Sequence, residues 1–318
     1  MCSAVSDAST RASLRMPEAI VDAHHHLWRL SSSGVQYPWL QDAYDPNRFM
    51  LGPYEALRKD FDVVAFRRAA ESAPVVASVH VEAECARSQA LAETEWLHSV
   101  ASEGLPSAVV AWVDLLASDA SDRLAEQAAW PLVRGIRFKP ATTRSPDHPR
   151  VIGRGTLSDP GWSVALERLA VHGLSWDLRV PYWHLEDAAA VVADSPKVTV
   201  ILEHAGLPWD RTDEGLAPWR RGMAALAARP NVFVKLSEFG LRNAAWDAVE
   251  NGRIIREALA IFGWERCMFA SNFPVASLRV TYPILIQTFA DALSHLDDAS
   301  ARAVWHDNAM RVYRIGPS

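Results

Sequence analysis

The chain has 318 residues, 49% of them hydrophobic and 22% charged, with a net charge of −6. That composition supports a large packed core and excludes a disordered chain, and an acidic balance without any Lys/Arg block excludes nucleic acid as a partner. No apolar run reaches the roughly 18–20 residues that span a bilayer, so no membrane partner is expected, and the scattered Cys2, Cys85 and Cys267 form neither a disulfide framework nor a zinc knuckle; a reducing, cytoplasmic setting fits them best.

Residues 1–16, "MCSAVSDASTRASLRM", lack the apolar centre of a signal peptide and read as a disordered tail before one domain over 17–318. Met16, followed by "PEAIVDAHHH", reads as a second candidate start. Short apolar runs then recur: 19–23, 75–82, 108–114, 133–139, 174–179, 198–203, 232–237 and 267–272. Most are rich in β-branched or aromatic residues and too short for independent helices. Helix-compatible segments lie between them, at 54–70, 86–102, 158–173, 184–195, 214–229 and 244–263. Strands alternating with helices predict parallel βαβ units, and eight strands predict a closed (β/α)8 TIM barrel. An open doubly wound sheet lacks its GxGxxG turn here. The long stretch after strand one, 31–70, is predicted to lie at the catalytic face as a partial lid.

In such barrels the site lies at the C-terminal ends of the strands. Each predicted strand here ends in ionisable or amide groups: His24-His25-His26, then His80, Glu82 and Glu84, then Asp114. Later strands end in Arg137 and Lys139, Asp177 and Arg179, Glu203 and His204, Lys235 with Ser237 and Glu238, and Asn272. Alternation sends His24 and His26 to one face and His25 to the other. It groups His80 with Glu82, and Arg137 with Lys139, and it turns Glu203 away from His204. His98, His148, His172, His295 and His306 fall away from strand ends and read as surface or core residues, while His184 lies nearer the mouth. Trp28 and Trp183 follow strands one and five and are candidates to line a pocket, as are Trp39 and Trp209; core packing is the competing use of each.

The pieces "DAHHHLW" (22–28), "YPWL" (37–40), "VHVEAE" (79–84), "RGIR" (134–137), "LEHAGLP" (202–208), "VKLS" (234–237), "RCMFASNFPV" (266–275) and "DNAMRVYRI" (307–315) run in order along the chain. Together they resemble the amidohydrolase superfamily, in its branch of sugar-lactone and dicarboxylate-lactone hydrolases. The resemblance implies a (β/α)8 hydrolase in which strand-one histidines hold a divalent cation and an Asp after strand eight takes a proton from water. Here that position is Asn272, and an amide is no general base.

The resemblance therefore implies opening of a lactone or related cyclic ester of a small, anionic or polyhydroxylated metabolite. His24, His26, Glu82, Arg137, His204 and Asn272 are the catalytic candidates. Glu82 or Glu84 supplies the base, and Arg137 or Lys235 steadies the oxyanion or a carboxylate. Glu84, Lys139, Asp177, Arg179, Lys235, Trp28 and Trp183 are candidates to bind substrate. His24, His26 and His204 offer three nitrogens to a divalent metal, Zn or Mn, with a position left for water. The cations at strands four and seven argue the other way, toward direct polarisation by His and Arg. No organic cofactor is implied. The alternatives are an amide or imide hydrolase, a metal-dependent decarboxylase of the same superfamily, and a silent metabolite-binding barrel, the last suggested by Asn272 and Ala276. The loop 140–162 is expected to form a mobile pocket wall. Barrels often dimerise, so a homodimer is the assembly to expect if the chain self-associates.

Overall fold

The computed structural model describes residues 16–47, 49–71 and 73–316. All of the expected tail except Met16 lies outside the described residues. Eight strands run in the order β1 (Ile20–His25), β2 (Val75–Val81), β3 (Ala108–Ala111), β4 (Val133–Ile136), β5 (Ser175–Leu178), β6 (Val200–Leu202), β7 (Val232–Leu236) and β8 (Cys267–Phe269). Each pairs in parallel with the next. The ring is completed just past the strand ends, where the Asn272 amide donates to the His24 carbonyl at 2.7 Å and the His26 amide donates to the Phe273 carbonyl at 2.8 Å. The chain is the (β/α)8 barrel that its alternating pattern predicts.

A main helix follows each strand, with shorter helices besides after β1 and β8: α1 (Val63–Ala69), α2 (Ala90–Val100), α3 (Ala120–Ala128), α4 (Trp162–Val171), α5 (Leu185–Ala193), α6 (Asp213–Ala227), α7 (Ala248–Phe262) and α8 (Tyr282–Leu293). Helices α3 and α8 are not among the segments expected from the sequence. In α3 only Ala120, Leu124 and Gln127 are buried, so its apolar period is faint. The helix expected over 54–70 is a 3-10 turn, Glu55–Leu57, followed by a break and then α1. Two aspartates cause the break. Asp60 accepts from the Leu30 and Ser31 amides, and Asp62 caps α1 by accepting from the Ala65 amide at 3.1 Å. Such side chains compete with helix for backbone N–H groups.

Strands buried on both faces read as continuous apolar runs, which explains why they are legible. The barrel interior holds Val21, Ala23, Val79, Val81, Val110, Ile201 and Met268. Ala309 and Tyr313 from the C-terminal segment join this cluster, and Asn308 and Arg311 bond carbonyls at the start of β8, which places that segment across the bottom of the barrel. Most strands end earlier than expected. Glu82, Glu84, Arg137, Lys139, Arg179, Glu203 and Glu238 lie in the first residues beyond the ladder, at the opposite, open mouth, whereas Asp177 and Lys235 lie within β5 and β7.

Candidate active site

Strand β1 carries a bulge. Its pairing moves from Asp22↔Ser78 to His25↔His80, so three steps on β1 match two on β2. Before the bulge Val21 and Ala23 point inward, and Asp22 points out, accepting from the Tyr282 hydroxyl at 3.1 Å. After it, His24 and His26 turn into the barrel and His25 turns out, with its ring 4.6 Å from Phe66 of α1. The 24/25/26 alternation holds because the bulge resets the phase.

Two acceptor atoms and a third imidazole nitrogen meet on the floor. His26 uses Nδ1 toward the Val81 carbonyl at 2.7 Å. A carbonyl only accepts, so Nδ1 carries the proton and Nε2 a lone pair. That Nε2 lies 3.3 Å from His24 Nε2 and 3.2 Å from Asn272 Oδ1. Two acceptors therefore face each other at hydrogen-bond distance, an arrangement that a cation relieves. His24, Glu203 and His204 make an overlapping set, one donor atom from each lying within 4.8 Å of the others. Burial lowers His26 to about 3. It also holds His24 and His204 well below the usual imidazole range, with the charges of Lys235 and Arg179 respectively adding to the effect. Neutral imidazoles are what metal ligation needs, and the donor set fits a divalent metal.

Glu203 corrects the sequence reading. Alternation turned it away from His204, yet both enter the site. The chain leaves β6 with φ of 58° at His204 and 48° at Ala205, a left-handed pair that re-aims the side chains. Glu203 is fully buried. Its Oε1 lies 3.5 Å from His24 Nδ1, and its Oε2 lies 3.4 Å from Arg137 Nη1 and 3.9 Å from His204 Nε2. Burial raises its carboxyl above the ordinary range. Glu84, Glu238 and Asn272 also have positive φ. Residues so strained cluster where function sets the backbone. Sequence shows which residues are present there but not their φ.

Glu82 is placed differently from its expected role. Its Oε1 accepts from Arg137 Nε at 2.8 Å and its Oε2 from Arg87 Nη1 at 3.0 Å. Burial opposes its charge, but Arg137 and Arg87 outweigh that and hold it ionised. A carboxylate so paired is a poor proton acceptor. His80 lies with Ser78 on the side away from Val79 and Val81, so it faces the helix layer, where Nδ1 accepts from the Leu27 amide at 3.1 Å. Asp177 and Lys235 lie deeper in the barrel, fully buried, in an ion pair at 2.6 Å, and the Tyr313 hydroxyl donates to the same Asp177 oxygen at 2.6 Å. Trp28 is core: it is fully buried, with Nε1 donating to the Lys59 carbonyl.

Above the floor opens a cavity of about 520 Å³. His26, His204 and Asn272 form its base, and Glu84, Arg137, Lys139 and Arg179 its polar side. The segment after β1 supplies the apolar wall through Trp39, Phe49, Met50 and Tyr54, with Trp39 and Phe49 stacked at 5.6 Å. The lid expectation is thus met as a wall. The loop 140–162, expected to shape the pocket, contributes nothing to this lining. Its Thr143 instead bonds Trp183 and His184, and Trp183 borders a neighbouring cleft with Tyr182, Trp209 and Arg211. The cations differ in what holds them. Arg137 is bound to Glu82 and Glu203, and Lys139 to Glu84. Among the described residues Arg179 makes one hydrogen bond, Nη2 to Met50 Sδ at 3.4 Å, so most of its donors are open to a ligand.

Comparison with known proteins identifies the family. The amidohydrolase family model matches residues 21–315. An uncharacterized protein, y4mH, of Sinorhizobium fredii is 33% identical over 93% of this chain and 99% of its own length. An L-fucono-1,5-lactonase of Burkholderia multivorans is 30% identical over 93% of this chain and 96% of its own. The crystal structure of an amidohydrolase from Burkholderia multivorans with bound zinc superposes with a TM-score of 0.75 at 27% identity, over 94% of this chain and all of that one. With a model match that runs from β1 to the C-terminal segment, the chain belongs to the amidohydrolase family and is a hydrolase of it.

Proposed function

We propose that this chain opens the ring of a lactone that carries an anionic or polyhydroxylated body, by water attack on the ester carbonyl. The observation that supports the reading best is the open guanidinium of Arg179 in the same cavity as a stacked aromatic pair, over a floor of neutral imidazoles. A flat ring lies against Trp39 and Phe49, which keep bulk water from that face. Arg179 takes a carboxylate or a pair of hydroxyls in a two-pronged grip. His204 has Nδ1 bonded with Ser237 Oγ at 2.9 Å and Nε2 toward Glu203. The Glu203 carboxylate, which burial raises above its ordinary range, receives the proton of the attacking water and returns it to the ring oxygen as the C–O bond breaks, with neutral His204 beside it to orient that water. His24 and His26, with Asn272, would hold a divalent cation, zinc or manganese. Such an ion supplies Lewis-acid activation of the carbonyl and of water. The lactonase names among the relatives support this chemistry and leave the substrate to be chosen by this chain's own wall.

The test is a panel of neutral and carboxylate-bearing five- and six-membered lactones, followed by acid release in weak buffer. Turnover of lactones, with the carboxylated members favoured at least several-fold in kcat/KM, is the expected result. Inert lactones alongside release of CO2 from aromatic acids would replace this reading with decarboxylation.

A further inference from the structure

The resemblance implies an acid after strand eight, and Asn272 stands there. The structure shows what accompanies that change. Glu238, in "KLSEFG" just past β7, is buried and lies against Asn272, whose Nδ2 donates to Glu238 Oε2. Both residues hold left-handed backbones, with φ of 54° and 56°. With Nδ2 spent on Glu238, Oδ1 is left facing His26 Nε2, 3.2 Å away, although that nitrogen is itself an acceptor. His24 Nε2 lies 3.3 Å from the same atom. Nothing in this pattern supplies a proton between Oδ1 and the His26 nitrogen.

We propose that Glu238 is a positioning residue which locks the Asn272 amide with its oxygen toward His24 and His26, so that Asn272 serves as a neutral oxygen donor to a divalent cation in place of a carboxylate. The inference rests on the site's reading as a cation site, and not on which substrate is turned over. It carries a specific consequence. An amide has one donor oxygen and must be held the right way round, whereas a carboxylate has two equivalent oxygens and needs no such lock. Loss of Glu238 should therefore matter when residue 272 is Asn and cease to matter when it is Asp.

The experiment uses the full chain, stripped of metal, titrated with zinc against a chromophoric chelator, with thermal melts to confirm folding. Glu238→Leu, which removes the acceptor, should weaken zinc about 10–100-fold, the usual effect of losing an outer partner of a ligand, and Asn272→Ala at least as much. The double variant Glu238→Leu/Asn272→Asp should recover to within a few-fold of the starting protein. With cobalt in place of zinc, the visible absorption band should change in Glu238→Leu, a readout that mere loss of stability would not move. Unchanged zinc affinity in Glu238→Leu overturns the proposal, as does a double variant no better than that single one, or a starting protein that takes up no zinc. Lactone turnover measured on the same preparations, with and without chelator, reports separately on the lactonase reading.

Discussion

Arg137 and Arg179 are the same residue type at the same mouth, yet the structure gives them different tasks. Arg137 stays charged despite burial because Glu82 and Glu203 flank it. Removing it strands two buried carboxylates, so Arg137→Met should damage folding as well as rate. Arg179 has no carboxylate at bonding distance among the described residues; its charge acts on Glu84, Glu203 and Glu238 from farther off, and each of these keeps its own bonded partner when Arg179 is replaced. Arg179→Met should therefore raise KM for a carboxylate-bearing lactone about 10–100-fold, in line with about 1.5–3 kcal/mol for a charged hydrogen bond, with kcat and melting temperature little changed. Steady-state kinetics and a thermal melt of the variant check this, and an unaltered KM would remove Arg179 from the substrate's binding site. The sequence placed both arginines at strand ends correctly. It could not separate them, because which cation is already neutralised depends on residues 55 and 66 positions away.

At the scale of an element, α2 shows how burial tunes a group behind the site. Glu93 lies on its inner side and accepts from the Ala83 amide at 3.0 Å, supporting the loop that leads to Glu84. Burial, followed by the charge of Glu82, pushes its carboxyl up to about 8. In the unfolded chain the group returns to its ordinary value and gives up its proton first. The stability it confers is therefore complete below about pH 4.5 and is lost as pH rises toward 8, by at most about 1.4 kcal/mol per pH unit. Glu93→Gln keeps the acceptor and removes the titration. Urea unfolding at pH 5, 6.5 and 8 should show a flatter pH dependence for the variant, and parallel curves would refute the assignment. Elements also mark where pattern reading stopped. The β1 bulge and the left-handed exit from β6 each reset which side chains face inward. Alternation predicted His24 and His26 correctly on one side of such a reset and Glu203 wrongly on the other.

For the whole molecule, the barrel interior holds a charged pair where most positions are apolar. Lys235 from β7 reaches Asp177 from β5, with its ammonium 5.2 Å from the centre of the Tyr313 ring. Strands β5 and β7 and the C-terminal segment are thereby tied together beneath the active site. Lys235→Met leaves Asp177 buried without its cation and should cost about 3–5 kcal/mol of stability, while Asp177→Asn/Lys235→Met should recover much of it. Denaturant unfolding of the three proteins measures this, and additive losses would show that the two residues act apart. The sequence by itself determined the eightfold βα order, the mouth where polar residues gather, and the strand-one histidines, because short apolar runs and their polar ends are local properties of the chain. Only the tertiary structure decided that Glu82 is spent on arginines, that Lys235 and Asp177 lie below the cavity, that Trp28 is core, that Glu203 faces His24 and His204, and that Glu238 faces the Asn272 amide. Those outcomes depend on backbone phase at a few strained residues and on charges brought together from distant strands, and neither is written in any single stretch of sequence.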